Sequence, residues 1–275
     1  MDKTVFPKGP IGIFDSGFGG LTVFKEIVNL LPQYDYIYLG DNARVPYGTR
    51  SFDTVYEYTK QCVSKLFEMG CNLIILACNT ASAKALRTLQ HNDLPEGKKI
   101  LGVIRPTAEV IDQYTSNQVV GILATPGTVN SQSYLLEIQR FHPTIQVHQQ
   151  ACPFWVPLVE NNDLDSAGAH FFVKRDLEEL LARQPEMDAI FLACTHYPLL
   201  LPLIQQYAPP KVRIVSQGTL VAESLQHYLE RHPEIKNRCK TGGLLTFYTT
   251  DQADEFDKKA EIFFGQDVKS KFIRV

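Results

Sequence analysis

The sequence predicts an α/β fold: two similar α/β domains with mainly parallel sheets and an active site in the cleft between them. Three observations carry that expectation. Short apolar runs alternate with helical patterns along the chain and few hairpin signals separate them, which is the signature of parallel winding. The alternation restarts near Val119. Two of the runs, 73–77 and 189–193, each stop at a cysteine followed by hydroxyl residues or histidine, in Cys78-Asn79-Thr80 and Cys194-Thr195-His196.

The elements follow in order. A strand at 11–14 runs into Asp15-Ser16-Gly17-Phe18-Gly19-Gly20, too rich in glycine to extend it. The helix after it places Val23, Ile27, Leu30 and Leu31 on one face at three- and four-residue spacing. A strand at 36–39 leads into a polar loop, 40–51, that holds Arg44, Val45-Pro46-Tyr47-Gly48 and Arg50. The strand at 73–77 precedes a helix through Ala81, Ala85 and Leu89, for which Asn79 is a suitable cap. A strand at 100–104 is broken at Pro106. Then come a strand at 119–124, the turn Thr125-Pro126-Gly127-Thr128 and a helix. The strand at 145–150 ends near Cys152-Pro153, a long helix covers about 169–183, and the strand at 189–193 reaches Cys194. Pro198 suits the first turn of the next helix, where its missing N–H does no harm. Strands at 212–215 and 245–249, and a short one near the C-terminus, complete the pattern. Asp15 and Thr125 are separated by nearly the same stretch as Cys78 and Cys194, so two related halves are expected, with the cysteines looking across a common cleft.

Composition sets bounds on function. The 275 residues are 44% hydrophobic and 21% charged, ordinary for a globular protein. A net charge of −3 argues against a nucleic-acid partner, which calls for a basic face. No run approaches the length of a membrane span. The opening Met1-Asp2-Lys3-Thr4-Val5-Phe6-Pro7 lacks the apolar core of a signal peptide, so a cytoplasmic location is expected. In a reducing cytosol the six cysteines are thiols rather than disulfides. No C-x-x-C pair suggests zinc, and Cys62, Cys71, Cys152 and Cys239 read as packing residues.

Cys78 and Cys194 read differently because both have polar turns after them. A thiolate is a nucleophile and a general base, and a helix N-terminus lowers the thiol pKa. Asn79-Thr80 and Thr195-His196 are expected to place both thiols at such termini. His196 is near enough in sequence to trade a proton with Cys194, and Asp15 does the same for Cys78 if its strand is a sheet neighbour. The glycines after Asp15 match neither G-x-G-x-x-G nor a P-loop; they suit close approach of the backbone to a small anion, with Ser16 adding a hydroxyl. Glu160 stands at the edge of the apolar stretch 155–159.

Taken together, these segments resemble the glutamate racemases of the cofactor-independent aspartate/glutamate racemase superfamily. The resemblance rests on residues 13–21, Pro46-Tyr47-Gly48, residues 77–83, Ala124-Thr125 through Thr128-Val129, Pro157-Leu158-Val159-Glu160 and Cys194-Thr195-His196-Tyr197-Pro198. It implies interconversion of L- and D-glutamate, without a cofactor or metal, to supply D-glutamate for peptidoglycan, usually in a homodimer. It also implies that Cys78 takes the α-proton from D-glutamate and Cys194 from L-glutamate. Asp15 would assist Cys78, and His196 with Glu160 would assist Cys194. Substrate contacts carry over to Asp15, Ser16, Tyr47, Gly48, Asn79, Thr80, Thr125, Thr128, Thr195 and His196. The domains are expected at 1–104 plus 216–275 and at 105–215. Inversion by proton transfer needs an acid on one face and a base on the other, and paired thiols serve both directions. Arg105, Thr107, Ala193 and Ser216-Gln217 depart from the family pattern, none of them a proposed acid or base. A two-lobed binding protein is the contrasting reading; it needs no thiol pair.

Overall fold

A computed structural model describes residues 7–275. Residues 1–6, on which the signal-peptide reading mostly rests, lie outside the described residues. The chain forms β1 (Ile11–Asp15), β2 (Tyr36–Gly40), β3 (Leu73–Leu76), β4 (Lys99–Gly102), β5 (Val119–Ala124), β6 (Gln146–Ala151), β7 (Ala189–Ala193), β8 (Arg213–Ser216), β9 (Leu245–Thr249) and β10 (Ser270–Phe272). Six of them make one sheet, ordered β10-β9-β2-β1-β3-β4, and four make another, ordered β6-β5-β7-β8. Every pairing within the two sheets is parallel, so the predicted fold class holds.

The central strands β1, β2, β3, β5 and β7 are buried along their whole length. Helices cover both faces of such sheets, which is why these strands are near-continuous apolar runs. Each fully buried Ile or Leu, such as Ile13 or Leu192, stabilises the fold by about 1.5–3 kcal/mol. The helix Leu21–Leu30 packs against Gly218–Arg231, and the expected apolar face is shifted there. Leu21, Val23, Phe24 and Ile27 are its buried residues and Leu31 at its C-cap is buried as expected, while Leu30 is exposed. Phe24 displaces Leu30 because it stacks among Tyr36, Tyr38, Phe247 and Phe264.

The repeat is visible in the strand order. Counting from each start, β1–β4 and β5–β8 both run second, first, third, fourth across the sheet. The winding direction reverses between β1 and β3 and again between β5 and β7. Ligands bind at such reversals, beyond the carboxyl ends of the strands. Both cysteines follow a strand that borders one. Register refines the correspondence: Phe14 lies level with Leu76 and Ala124 with Ala193. Continuing outward, Ser16 sits beside Cys78 as Thr125 sits beside Cys194. The equivalent of Thr125 is therefore Ser16, not Asp15.

Some expected boundaries move. The strand expected at 100–104 ends at Gly102, and Pro106 lies in the first turn of a helix, Ile104–Val110, where a proline is tolerated. The helix expected through Leu89 is divided into Asn79–Lys84, Leu86–Thr88 and a π-helical turn at Leu89–Asp93. No helix among the described residues is long and apolar enough to cross a membrane.

Candidate active site

Both cysteines open onto one cavity of about 100 Å³ between the two sheets. Its walls include Ser16, Tyr47, Gly48, Asn79, Thr80, Thr125, Thr195 and His196. Pockets for drug-sized ligands run to about 300–1,000 Å³, so this space suits a small metabolite. A larger cavity of about 570 Å³, rimmed by Arg87, Arg105, Arg140 and Arg231, shares no wall residue with it and holds no cysteine. The smaller cavity is the candidate site because the two thiols face it.

Cys78 is the N-cap of the helix Asn79–Lys84, its sulfur accepting the Ala81 N–H at 3.4 Å. This corrects the expectation that Asn79 caps the helix. The Asn79 side chain is turned away to distant partners: its amide donates to Gln217 at 2.8 Å and its carbonyl accepts from Tyr134 at 2.6 Å. Cys78 also reaches the Ser16 hydroxyl at 3.5 Å. Burial and the nearby Asp15 carboxyl push the Cys78 thiol up to about 12, against the lowering expected from a helix start. Six residues of helix do not offset the cost of a buried thiolate, so Cys78 rests as a neutral thiol.

Cys194 has different company. It is followed by a 3₁₀ turn, Tyr197–Leu200, capped by His196, and not by the α-helix expected there. The α-helix begins only at Leu201. His196 Nδ1 lies 3.9 Å from the Cys194 sulfur, and its Nε2 lies 3.0 Å from Glu160 Oε1. Burial alone would lower the imidazole, but the hydrogen bonds to Cys194 and Glu160 and their charges outweigh it and raise His196 to about 10. His196 is therefore an imidazolium at neutral pH, with a donor facing each partner.

Asp15, Glu160 and Thr128 do not line the cavity. Asp15 lies behind Ser16, fully buried; one oxygen accepts the Gly17 N–H at 2.9 Å and the other has no partner. Burial raises its pKa, offset in part by the His196 charge and the backbone N–H groups of Gly20 and Gly17. Glu160 reaches the site only through His196. Thr128 stands behind Thr125, their hydroxyls 3.2 Å apart. The Tyr47 ring lines the cavity while its hydroxyl donates to Asp41.

Several bonds join the two halves beside the cavity. The Gly127 N–H donates to the Gly48 carbonyl at 2.8 Å. The Thr80 and Thr125 hydroxyls meet at 3.0 Å, and the Thr22 hydroxyl donates to the Thr195 carbonyl at 2.8 Å. The glycine turn after Asp15 takes part through Gly19. A Cβ at Gly19 would fall 2.3 Å from Thr195 Oγ1 and 2.4 Å from His196 Nδ1. Gly19 is the residue that lets the first half approach the second at His196. Sequence reasoning assigned Cys152 to packing; it is buried and also lines the cavity, since β6 borders β5. No local signal marks it, because its strand carries no polar turn of the kind that follows the other two thiols. No group of three or more His, Cys, Asp or Glu side chains among the described residues is placed to hold a metal ion.

Comparison with known proteins agrees with this fold. Residues 11–225 match the Asp/Glu/hydantoin racemase family. A glutamate racemase from Ruegeria sp. (strain TM1040) is 41% identical over 268 residues, covering 94% of this chain and 97% of its own. The crystal structure of a glutamate racemase isoform from Bacillus anthracis superposes with a TM-score of 0.89 at 32% identity, over 97% of this chain and 98% of that one. A glutamate racemase from Francisella tularensis, solved in complex with D-glutamate, gives 0.85 at 29% identity over 98% of each chain.

Proposed function

The chain belongs to the Asp/Glu/hydantoin racemase family, and from that premise we propose that this isomerase interconverts L- and D-glutamate by a two-base, cofactor-independent proton transfer. One observation carries the reading: two thiols face a single small cavity, each with its own set of partners. Taking a proton from L-glutamate requires Cys194 as thiolate, and the His196 imidazolium is placed to hold that charge through Nδ1. The C–H bond breaks toward Cys194, and the carbanion takes the S–H proton of Cys78 on the opposite face, which leaves D-glutamate. The reverse reaction exchanges the two roles.

The α-proton of an amino acid is a very weak acid, so the site must stabilise the carbanion by fixed donors in a space closed to water. The hydroxyls of Ser16, Thr80, Thr125 and Thr195, with backbone N–H groups near Asn79 and Gly48, suit the two carboxylates. The unpartnered oxygen of Asp15 gives a proton a place to go beside Cys78. Asp15 and Glu160 are positioning residues in this scheme, acting through Cys78 and His196. The lobes are assigned to 1–104 plus 216–275 and to 105–215. The protein is assigned a cytoplasmic role in supplying D-glutamate for peptidoglycan, as a homodimer.

The test is racemisation in heavy water by purified protein with no cofactor added. Deuterium should enter the α-position starting from either enantiomer. Full racemisation with retained protium would reject the two-base scheme, and turnover of aspartate in place of glutamate would move the substrate.

A further inference from the structure

Behind the Cys78 side of the cavity lies a closed ring of three hydrogen bonds. The Asn79 amide donates to Gln217 Oε1 at 2.8 Å, Gln217 Nε2 donates to the Tyr134 hydroxyl, and that hydroxyl donates to Asn79 Oδ1 at 2.6 Å. The second hydrogen of Gln217 Nε2 goes to Thr107 Oγ1 at 2.7 Å. The Val103 carbonyl, which only accepts, lies 3.4 Å from Nε2 and fixes which end of the amide is nitrogen. Asn79, Thr107, Tyr134 and Gln217 are all buried.

Two of the four residues, Thr107 and Gln217, come from the two places where the chain passes between its sheets. Thr107 is on the helix Ile104–Val110, between β4 of the first sheet and β5 of the second. Gln217 directly follows β8 of the second sheet, where the chain returns toward β9 of the first. Tyr134 is on the helix Ser133–Phe141 of the second half, and Asn79 is the residue after Cys78. We propose that Gln217 is a positioning residue: with Tyr134 it locks both chain crossings to the first turn after Cys78 and sets where that thiol points. This rests on the racemase reading for its kinetic consequence but not for its geometry.

The chemistry requires an amide at 217. That side chain must accept from Asn79 and donate to Tyr134 at once. A carboxylate donates nothing, so Tyr134 would turn its proton to it and leave Asn79 Oδ1 buried without a donor, a costly state. A protonated carboxylic acid restores the donor. Gln217→Glu should therefore act as wild type in acid and lose the lock as pH rises.

The experiment compares wild type, Gln217→Glu and Tyr134→Phe between about pH 5 and about pH 9. The substrate-free readout is the rate at which iodoacetamide labels each thiol, followed by mass spectrometry. Gln217→Glu should label faster at Cys78 above the range where its carboxyl is protonated, with Cys194 unchanged; Tyr134→Phe should do so at every pH. The kinetic readout is the primary isotope effect with α-deuterated glutamate. In both variants at high pH it should rise for D-glutamate and fall for L-glutamate, since only the Cys78 transfer has slowed. Equal changes at both thiols, or a Gln217→Glu variant that follows wild type at every pH, would overturn the proposal. A wild-type protein that leaves glutamate unchanged would remove the substrate reading alone, and labelling would still decide the ring.

Discussion

The two thiol surroundings are built on the same strand order, yet they differ in how charge is handled. Cys78 sits among a hydroxyl, one N–H and a buried carboxyl, and its proton is held tightly. Cys194 faces an imidazolium backed by a carboxylate. A symmetric reaction does not require symmetric surroundings: one thiol is buried beside a carboxyl that holds its proton on sulfur, and the other has a charged imidazole ring beside it. The lesson is that a structural repeat preserves the position of a reactive atom while leaving its electrostatics free to diverge.

Removing the reactive atoms tests the comparison most severely. Cys78→Ser and Cys194→Ser should each lower racemisation by about 10²–10⁴-fold, measured by circular dichroism. Near-normal activity in either variant would remove that thiol from the scheme. The next test concerns charge at His196. Between its ordinary value of 6.5 and about 10, the folded chain holds a proton that the unfolded chain has released. Its contribution to stability is whole below 6.5 and is lost as pH rises through 10. The melting temperature of wild type should therefore exceed that of His196→Gln by a margin that shrinks over that range, and a constant margin would contradict the assignment. Gly19→Ala forces a Cβ into Thr195 and His196, and overpacking of this kind costs about 1–3 kcal/mol, readable by urea denaturation. Activity should fall with it, because the ring that moves is the one facing Cys194. The smallest effect belongs to Cys152→Ala, which should cost about 1 kcal/mol of stability and keep racemisation within an order of magnitude. A loss comparable to the other two would mean that three thiols take part.

The two cysteines that share the cavity were legible because each is marked by its own neighbours: an apolar strand, then a cysteine, then polar turn residues. The fold class was legible for the same reason, since strand and helix patterns are local. What depended on distant contacts was not. Asn79 has the chemistry of a cap, but Tyr134 and Gln217 claim both ends of its amide, and Cys78 takes the cap by default. Leu30 fits the apolar spacing, yet Phe24 is the residue that finds a cluster of rings. Thr107 and Gln217, seen in the sequence only as two separate departures from the family pattern, prove to touch each other. That Gly19 is needed for contact between the halves was likewise invisible in its own turn.

The bonds beside the cavity carry a mechanical consequence. Gly48, Thr80 and Thr125 belong both to the wall of this space of about 100 Å³ and to the bonds that hold the halves together. Widening the cavity at that wall therefore breaks them. The bonds concerned are between neutral groups, each contributing only about 0.5–1.5 kcal/mol. Contacts of that strength hold the halves in place and are still cheap to break one at a time. The room available at that wall is therefore set by a few hydroxyl and amide contacts rather than by the cores of the two sheets.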